Sequence, residues 1–539
     1  MDKICLYDTT LRDGTQAEDV NLSTQDKLRI THKLDELGIH YIEGGWPYSN
    51  PTDEKFFAEI KNYSLKNARI TAFGSTHAPN SKPHNDANLN ALLQAGTDTL
   101  TIFGKTWDVH VKEALRTSNE NNLDMIGQSV AFLKENIQEV FFDAEHFFDG
   151  FKDNPQYALA CLKRAHEAGA DVLVLCDTNG GTLCPELKDI INKVKKELPD
   201  AAFGIHAHND SELAVANTII AVDCGAGHIQ GTINGYGERC GNANLCSIIP
   251  SLQLKMNKKC LSAEQLSILT PTSHFISGVC NLRSFHRQPY TGKSAFAHKG
   301  GIHVSAVRKN PRTYEHIRPE LVGNKQRILL SDLAGQSNIL FKARQYGFHL
   351  DKDDPFVLDL LAKLKDLESQ GYEYAAADAS FELLLNRTLG RCRNYFTLKG
   401  FRVLETEREE DEAPISEATV MVKVGGMLEH TAADGKGPVN ALDNAMRKAL
   451  ERFYPSLSEM HLLDFKVRVF TPEDENYSGT ASRVRVLIES GDQKNKWISV
   501  GVSFNIIEAS KQALEDSLNY KLFKEDQEKL TKAIKDAAE

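Results

Sequence analysis

The chain has 539 residues, of which 41% are hydrophobic and 25% are charged, and it carries a formal net charge of −11. This balance is ordinary for a soluble globular protein, and the length predicts two to four domains. The negative charge argues against nucleic acid as a partner, but it leaves small anionic substrates open because a site can be locally basic on an acidic protein.

The N-terminal residues enter a strand pattern directly and have no charged-then-apolar signal layout. No stretch reaches about 18 uninterrupted apolar residues, so we expect no membrane span and no membrane partner. The ten cysteines are scattered and form no Cys-x-x-Cys pair. We therefore expect reduced, largely buried thiols and a cytoplasmic location.

From residue 1 to about 265, short apolar runs of strand length alternate with amphipathic segments of helical length. The runs lie at 4–7, 41–43, 70–73, 99–103, 140–143, 172–176, 203–206 and 227–231. Eight β/α units predict an α/β fold of the (β/α)8 TIM-barrel type. A doubly wound open sheet is the alternative, but no Gly-x-Gly-x-x-Gly follows the first strand, which favours the barrel.

After the barrel the pattern changes twice. We predict mainly helical linker subdomains and then, beyond a solvated charge run, a C-terminal α+β domain with a weak strand–helix repeat. That domain has no cluster of catalytic residue types, so we expect it to serve binding or assembly. The predicted boundaries are 1–265 for the barrel, 266–400 for the helical subdomains, 401–415 for the charged linker, 416–525 for the C-terminal domain and 526–539 for a polar tail.

Polar and ionisable residues follow most of the predicted barrel strands, where TIM barrels place their chemistry. They lie in the segments 8–16, 43–47, 143–146, 177–180, 206–210 and 234–242. Individual residues have structural alternatives: Asp177 could cap a helix, Asp13 could cap a turn, and Glu238 could pair with Arg239. Their joint position at one end of the barrel instead indicates an active site.

His206 and His208 end the seventh predicted strand. Side chains two residues apart in a strand point the same way, so the two imidazoles are spaced to share a metal ion. Two hydrogen-bonded histidines at a strand end are the alternative. Asp13 offers a hard oxygen ligand at the same end of the barrel, and Asn242 could add a fourth ligand directly or through water. The set predicts a divalent metal ion, with Mg, Mn and Zn as candidates.

A mixed oxygen and nitrogen shell leaves room for a 2-oxo acid to chelate through its keto and carboxylate oxygens. The metal would polarise the keto carbon, and Arg12, next to Asp13, could stabilise a developing oxyanion. Thr178 could hydrogen-bond the substrate carboxylate. Glu145 and His303 are both candidates for the base that makes a carbanion, and spacing does not choose between them. The residues indicate metal-assisted aldol or Claisen chemistry.

Three stretches carry a family resemblance: DTTLRDGTQ at 8–16, HAHND at 206–210 and GYGERCGN at 235–242. Together they resemble the signature motifs of the 2-isopropylmalate/homocitrate/citramalate synthase family, and the resemblance covers the whole chain. EGGWPYSNP at 43–51 and FDAEHFFDG at 142–150 favour the members that use pyruvate. The resemblance implies condensation of acetyl-CoA with pyruvate and water to citramalate and CoA, at the entry to a threonine-independent route to isoleucine.

The resemblance also implies residue roles. The metal ligands would be Asp13, His206 and His208, with Asn242 in or near the shell. The substrate-binding residues would be Arg12, Thr178 and Glu43, with Arg12 at the keto oxygen and Thr178 at the carboxylate. The catalytic residues would be Arg12, Glu145, His303 and Tyr314, where Glu145 helps orient or activate the acetyl group. His303 would deprotonate the acetyl methyl or activate the hydrolytic water, often from the partner chain.

The C-terminal domain resembles the family's regulatory dimerisation domain, with GKGPVNA at 435–441 matching its loop into a helix. It implies a homodimer and feedback binding of an effector, for which isoleucine is the candidate.

Alternatives remain open at this point. A larger oxo acid would make the chain a 2-isopropylmalate or homocitrate synthase, because one methylene changes discrimination by only about 1–3 kcal/mol. The pocket floor is expected near Phe103 and Asp143, and it does not settle the substrate. A lyase or aldolase of the same barrel superfamily would generally lack the C-terminal domain. A binding protein without catalysis would not depend on Asp13.

Overall fold

A computed structural model describes residues 4–329, 336–351, 354–374, 376–407, 414–470 and 482–538. The chain divides into two compact units. The first comprises Met1–Phe296 and Glu315–Gln326, and the second comprises Ala297–Tyr314 and Arg327–Glu539. Within the described residues, no helix combines the length and the apolar character that a membrane crossing requires.

The first unit contains a closed barrel of eight parallel strands, so the predicted TIM barrel is confirmed. The strands are β1 Cys5–Asp8, β2 Tyr41–Gly45, β3 Arg69–Ser75, β4 Thr99–Lys105, β5 Glu139–Glu145, β6 Val172–Asp177, β7 Phe203–Ala207 and β8 His228–Gly231. The helices are α1 Thr24–Leu37, α2 Pro51–Ile60, α3 Ala87–Gln94, α4 Asp108–His110, α5 Asn119–Lys134, α6 Phe147–Asp153, α7 Pro155–Glu167, α8 Cys184–Glu197, α9 Ala214–Asp223, α10 Leu245–Leu254, α11 Ala263–Leu266 and α12 Leu269–Val279.

Local sequence signals set the ends of these helices. At the start of α1, the Ser23 side chain accepts from the backbone N–H of Asp26, and the Asp26 side chain accepts from the backbone N–H of Ser23. This capping box satisfies N–H groups that have no partner inside the helix. The helix ends at Gly38, whose φ of 90° is the left-handed conformation that glycine adopts without strain. Gly38 therefore ends the first helix of the barrel.

Pairing of β1 with β8 closes the barrel. Cys5 lies opposite His228 and Asp8 lies opposite Gly231 in the parallel register. The loop after β1 is therefore brought next to the loops after β7 and β8, although nearly the whole barrel sequence lies between them. This closure positions the predicted site residues.

The second unit contains the short pair β9 Ala297–His298 and β10 Arg327–Ile328, followed by two three-stranded antiparallel sheets. The remaining strands are β11 Thr397–Thr406, β12 Ile415–Val424, β13 Met427–Gly435, β14 His461–Phe470, β15 Arg483–Gly491 and β16 Lys496–Ser503. The helices are α13 Gly301–Lys309, α14 Gln336–Gln345, α15 Pro355–Ser369, α16 Asp378–Thr388, α17 Pro438–Glu451 and α18 Ile506–Ala538. Helix α17 packs on β12 and β13, and α18 packs on β15 and β16. The strand–helix repeat therefore corresponds to two units, each a three-stranded sheet with one helix packed on it.

Two strands of this repeat differ from the sequence-based expectation. Residues 401–406, which we assigned to a charged linker, complete β11, and residues 408–413 of that linker lie outside the described part of the chain. Strand β13 was missed because its sequence, MLEHTAADG, has no continuous apolar run of strand length and no apolar–polar alternation. Gly425 and Gly426, with φ of 54° and 94°, form the tight turn into β13. Two consecutive glycines after a strand are a hairpin signal that could have revealed it.

Other expectations concern the cysteines and the tail. All ten cysteines are free thiols, and most of them are buried. The predicted polar tail at 526–539 continues α18 as far as Ala538. The mainly helical region predicted at 266–400 is divided between the two units, because residues up to Phe296 pack with the barrel.

We predict that Phe142→Ala destabilises the barrel unit by about 3–5 kcal/mol, because it leaves a cavity in a well-packed core. Phe142 is fully buried, and its ring lies against Gly104 and Ile126. Leu183→Ala is the matched control, since Leu183 is 59% exposed and surface changes usually stay within about 0.5 kcal/mol. Thermal unfolding followed by circular dichroism measures both, and equal midpoints would contradict this account of the core.

Candidate metal centre and active site

A cavity of about 280 Å³ lies at the carboxyl ends of the barrel strands. Its lining residues are Arg12, Asp13, Gln16, Trp46, Phe73, Phe103, Asp143, Glu145, Cys176, Thr178, His206, His208, Glu238 and Arg239. A larger cavity of about 870 Å³ lies in the second unit beside α18. We place the candidate site in the smaller cavity because potential metal ligands converge there.

The segment 8–16 folds into a tight turn that presents Arg12 and Asp13. The buried Asp8 carboxylate accepts hydrogen bonds from the backbone N–H and the hydroxyl of Thr10, both at 2.9 Å. The Thr10 hydroxyl oxygen accepts from the backbone N–H of Ile233, which follows β8. Hydrogen bonds thus connect the turn both to the end of β1 and to the loop after β8.

Asp13, His206 and His208 form a buried cluster. Asp13 Oδ2 lies 3.2 Å from His206 Nε2 and 3.8 Å from His208 Nε2, and the two Nε2 atoms are 3.3 Å apart. With metal–ligand bonds of about 2.0–2.2 Å, two ligand atoms on one ion lie roughly 3–3.5 Å apart. Asp13 Oδ1 is buried and has no hydrogen-bond partner. The three residues therefore fit a divalent metal ion.

A hydrogen-bonded chain orients His206. His206 Nδ1 lies 2.9 Å from Gln230 Oε1, and Gln230 Nε2 donates to Asp143 Oδ1 at 3.0 Å. Because Gln230 Oε1 can only accept, Nδ1 carries the proton and the lone pair of Nε2 faces Asp13 and His208. Asp143, which lines the cavity, is thus engaged in supporting a ligand, and burial raises its pKa to about 7.

The charges in the cluster suit metal binding. Burial alone would raise the pKa of Asp13, but Arg12 and His206 outweigh it and hold that pKa far below the usual range. Burial and the neighbouring His206 lower the pKa of His208 to about 4, so its imidazole is neutral at pH 7. Burial opposes protonation of His206, but the bond to Asp13 raises its pKa overall. Asp13 thus stabilises the protonated form of His206, and a divalent ion would replace that proton.

Asn242 lies beside this cluster, as the sequence indicated. It is 2% exposed, its backbone bridges to His208, and its Nδ2 donates to Tyr236 O at 3.3 Å. Its Oδ1 is buried without a hydrogen-bond partner. A Cβ at Gly237 would lie 2.1 Å from Asn242 Nδ2, so glycine is needed there. A buried, unpartnered amide oxygen on a residue whose backbone pairs with that of His208 is compatible with Asn242 as a further ligand.

Arg12 is held by a buried carboxylate. Arg12 Nε donates to Glu43 Oε1 at 2.5 Å, and its guanidinium carbon lies 3.8 Å from the centroid of the Phe73 ring. Burial disfavours the charge, but the carboxylates of Glu43 and Asp13 outweigh it and raise the pKa of Arg12. Arg12 is thus a fixed cation on the cavity wall next to the metal ligands.

Glu43, which we expected to bind substrate, is engaged elsewhere. It is fully buried, it is not among the residues that line the cavity, and its Oε2 accepts from the Tyr7 hydroxyl at 2.6 Å. Both carboxylate oxygens are therefore used, one by Tyr7 and one by Arg12. The structure makes Glu43 the support of Arg12, and this corrects the expectation of direct substrate contact.

Thr178 lies on the cavity wall with its hydroxyl oxygen accepting from the backbone N–H of His146 at 2.9 Å. The Thr178 hydroxyl proton remains available for a ligand. Arg239 donates to Thr178 O at 2.7 Å and forms an ion pair with Asp210. Arg239 therefore pairs with Asp210, and the alternative pairing with Glu238 is not observed.

Neither aspartate makes the capping hydrogen bond considered for it. Asp177 accepts from the backbone N–H and the hydroxyl of Thr182, at 3.3 Å and 2.8 Å, in the loop before α8. Helix α8 itself has Leu183 as its N-cap and no side-chain cap, so the helix-cap alternative for Asp177 is wrong. Asp13 precedes a short turn of helix but makes no capping hydrogen bond. Its side chain is thus free to face the histidines.

The three remaining catalytic candidates lie in different parts of the chain. Glu145 ends β5, lines the cavity and forms an ion pair with Lys105. His303 and Tyr314 belong to the second unit, where their rings stack with centroids 4.1 Å apart. His303 and Tyr314 thus contact each other in the second unit, and their catalytic roles stay a prediction.

Sequence reasoning missed several residues that shape the site. Gln230 supports His206 from inside the barrel. Tyr7 donates to Glu43, the partner of Arg12. Lys105 pairs with Glu145. Phe73 stacks on Phe103 with ring centroids 5.5 Å apart, as part of an aromatic wall beside Arg12. A polar Gln230 inside a predicted barrel strand was a signal of a buried hydrogen bond, but it did not identify His206 and Asp143 as the partners. Phe73 carried none, because an aromatic residue in a strand usually belongs to the core.

Comparison with known proteins gives three matches to family models. Residues 3–272 match the HMGL-like family, residues 290–371 match the homocitrate synthase post-HMGL domain-like family, and residues 375–522 match the LeuA allosteric (dimerisation) domain. The first match spans the barrel, and the last spans the two-sheet region of the second unit.

Whole-chain relatives agree with these matches. An (R)-citramalate synthase from Geobacter sulfurreducens is 58% identical, covering 98% of this chain and 99% of the relative. An (R)-citramalate synthase from Sulfolobus acidocaldarius is 46% identical, covering 96% of each chain. A 2-isopropylmalate synthase from Methanocaldococcus jannaschii is 30% identical, covering 96% of this chain and 94% of the relative. With its barrel, its metal-ligand cluster and these relatives, the chain belongs to the 2-isopropylmalate/homocitrate/citramalate synthase family, on its (R)-citramalate synthase branch.

Proposed function

We propose that this chain catalyses the Claisen-type condensation of acetyl-CoA with pyruvate and water to give (R)-citramalate and CoA. The observation that carries the proposal is the convergence of Asp13, His206 and His208 beside the fixed cation Arg12 in one buried cavity. The high identity to relatives named (R)-citramalate synthase supports pyruvate as the oxo acid. The enzyme would be an acyltransferase that converts the acyl group to an alkyl group on transfer, at the entry to isoleucine biosynthesis.

Asp13, His206, His208 and Asn242 are the residues that would hold the metal. A divalent ion bound there would supply Lewis acidity at the keto group of pyruvate. Mg, Mn and Zn all suit a set of one carboxylate, two imidazoles and one amide oxygen.

Arg12 and Thr178 would bind and orient the oxo acid. The guanidinium of Arg12 is fixed by Glu43 and Phe73 before substrate arrives, so it can stabilise negative charge on the keto oxygen without reorganising. The Thr178 hydroxyl proton is available to the pyruvate carboxylate because its oxygen already accepts from His146. The two residues together would hold the oxo acid with its keto carbon open to attack.

The nucleophile would be the methyl carbon of acetyl-CoA. A base removes a methyl proton, the methyl carbon bonds to the keto carbon of pyruvate, and the keto oxygen takes up a proton. Water then attacks the thioester and CoA leaves as the thiol. We assign Glu145 to orienting or activating the acetyl group, and His303 with Tyr314 to the proton removal or to activation of the water.

The second unit supports assembly and regulation. Its match to the LeuA allosteric (dimerisation) domain supports a homodimer and an effector site, and we propose isoleucine as the effector. The free thiols of all ten cysteines suit a reducing compartment, and we propose that the enzyme works in the cytoplasm.

The first prediction from this proposed function concerns the substrate. Pyruvate should release CoA from acetyl-CoA with a kcat/KM at least about 10-fold above those for 2-oxoisovalerate and 2-oxoglutarate, since one or more extra carbon atoms must fit the same pocket. A thiol-detection assay measures all three on the same preparation. Preference for 2-oxoisovalerate or 2-oxoglutarate would instead indicate 2-isopropylmalate or homocitrate synthesis, and absence of thiol release with any of them would exclude the proposed reaction.

The second prediction concerns the metal. Changing residues that merely support a ligand costs about 10- to 100-fold in metal affinity or activity, so we expect Asp13→Ala to lower kcat at least about 100-fold. Metal content after dialysis, measured by mass spectrometry, should fall from one ion per chain. Asp98→Ala is the control, because Asp98 is exposed and precedes the amino end of β4. Unchanged metal content in a folded Asp13→Ala variant would exclude this site.

The third prediction concerns regulation. L-Isoleucine should lower the initial rate and give a binding signal in calorimetry with the full-length chain, and D-isoleucine should do neither. The full chain is needed because Ala379 and Leu383 of α16 share a core with β12 and α17, so a deletion after residue 415 would expose that core. If L-isoleucine neither binds nor inhibits, it is not the effector.

A further inference from the structure

Glu145 has a cationic partner to which the mechanism above gives no role. Lys105 Nζ forms an ion pair with Glu145 Oε2. The Lys105 side chain is 16% exposed and the Glu145 side chain is 24% exposed. Water screens such a pair less than one on the open surface, so its Coulomb attraction is correspondingly stronger.

The main chain on both sides of this pair is fixed. Lys105 and Glu145 are register partners at the ends of the parallel strands β4 and β5. Asn122 Nδ2 donates to Lys105 O at 2.8 Å, and the Thr106 hydroxyl donates to Glu145 O at 2.7 Å. The two side chains therefore start from backbones that cannot easily move apart.

Lys105 reaches Glu145 from outside the catalytic cavity. It lines an adjoining cavity of about 460 Å³, which shares Trp46 and Phe103 with the catalytic cavity. Its ammonium lies 5.3 Å from the centroid of the Phe103 ring. Glu145 lines the catalytic cavity itself. The cation thus holds the carboxylate without occupying the space that the oxo acid needs.

Near Glu145, Lys105 is a stronger source of positive charge than His110. Burial, His146 and Lys105 together lower the pKa of His110 below its usual 6.5, so His110 is largely neutral at pH 7. The charge that faces Glu145 therefore comes from the lysine. Glu145 Oε2 is buried at this contact, which leaves Oε1 as the oxygen available to a ligand.

We propose that Lys105 is a positioning residue for the condensation: its ammonium holds the Glu145 carboxylate in place, with Oε1 directed to the acetyl group. The inference rests on the proposed function, in which Glu145 orients or activates that group. Lys105 itself touches neither the oxo acid nor the metal ligands in this assignment.

The test is a double-mutant cycle on steady-state rates with pyruvate and acetyl-CoA. We expect Lys105→Met to lower kcat about 10-fold, an effect within the range for residues of one charged network, with both KM values changed less than about 2-fold. Lys105→Arg, which keeps the charge, should recover most of the rate. In a Glu145→Gln background, Lys105→Met should not lower kcat further, because the carboxylate that Lys105 holds is already absent.

Lys134→Met is the matched control. Lys134 pairs with Asp171 at 2.9 Å in a similar lysine–carboxylate contact, but neither residue lines the catalytic cavity, so its kcat should stay within about 2-fold of the wild type. A Lys105→Met loss that persists undiminished in the Glu145→Gln background would overturn the positioning role. An unchanged kcat in Lys105→Met would also overturn it. A raised KM for acetyl-CoA alone would overturn it as well, because that result would assign Lys105 to substrate binding. A wild-type chain that releases no CoA would overturn the proposed function and this inference together.

Discussion

The pairing of β1 with β8 is the constraint on which the site depends. It sets Asp8 opposite Gly231, and the turn after β1 then bonds to the loop after β8 through Thr10 and Ile233. Asp13 can meet His206 only because this closure brings the first strand beside the last ones. The candidate ligands are therefore far apart in sequence, and the closed sheet is what brings them to one end of the barrel.

The buried charges near the metal ligands are arranged so that each has a partner. Arg12 is paired closely with Glu43 and lies farther, at 3.7 Å, from Asp13, so one cation is shared by two carboxylates and the negative charge of Asp13 is only partly matched. Without a metal, the raised pKa of His206 shows that a proton is the available partner. A divalent ion matches that charge better and needs neutral imidazoles, which the low pKa of His208 already provides. Burying an unmatched charge costs several kcal/mol, so the apo site is built to favour metal.

The barrel and most of the site could be predicted from the sequence because both depend on periodic or local signals. Eight apolar runs gave the strands, and the residues after them were placed at one end by the geometry of parallel strands. Glu43 was assigned to substrate because a sequence does not tell which way a side chain at a strand end turns. In the structure it turns inward to Tyr7 and Arg12. Strand β13 was missed because its pairing with β12 and its packing against α17, rather than a pattern in its own sequence, make it a strand.

Gln230 shows why such supporting residues escape prediction although their chemistry is strict. It must accept a hydrogen bond from His206 and donate one to Asp143 at the same time. A carboxylate could accept but not donate, and an ammonium could donate but not accept, so an amide is required. The requirement appears only when the closed barrel brings side chains of β5, β7 and β8 together in its interior, and no local pattern encodes it. The consequence is a fixed orientation of one ring. Because Nδ1 of His206 is bonded to Gln230, the imidazole can present only Nε2 to Asp13 and His208.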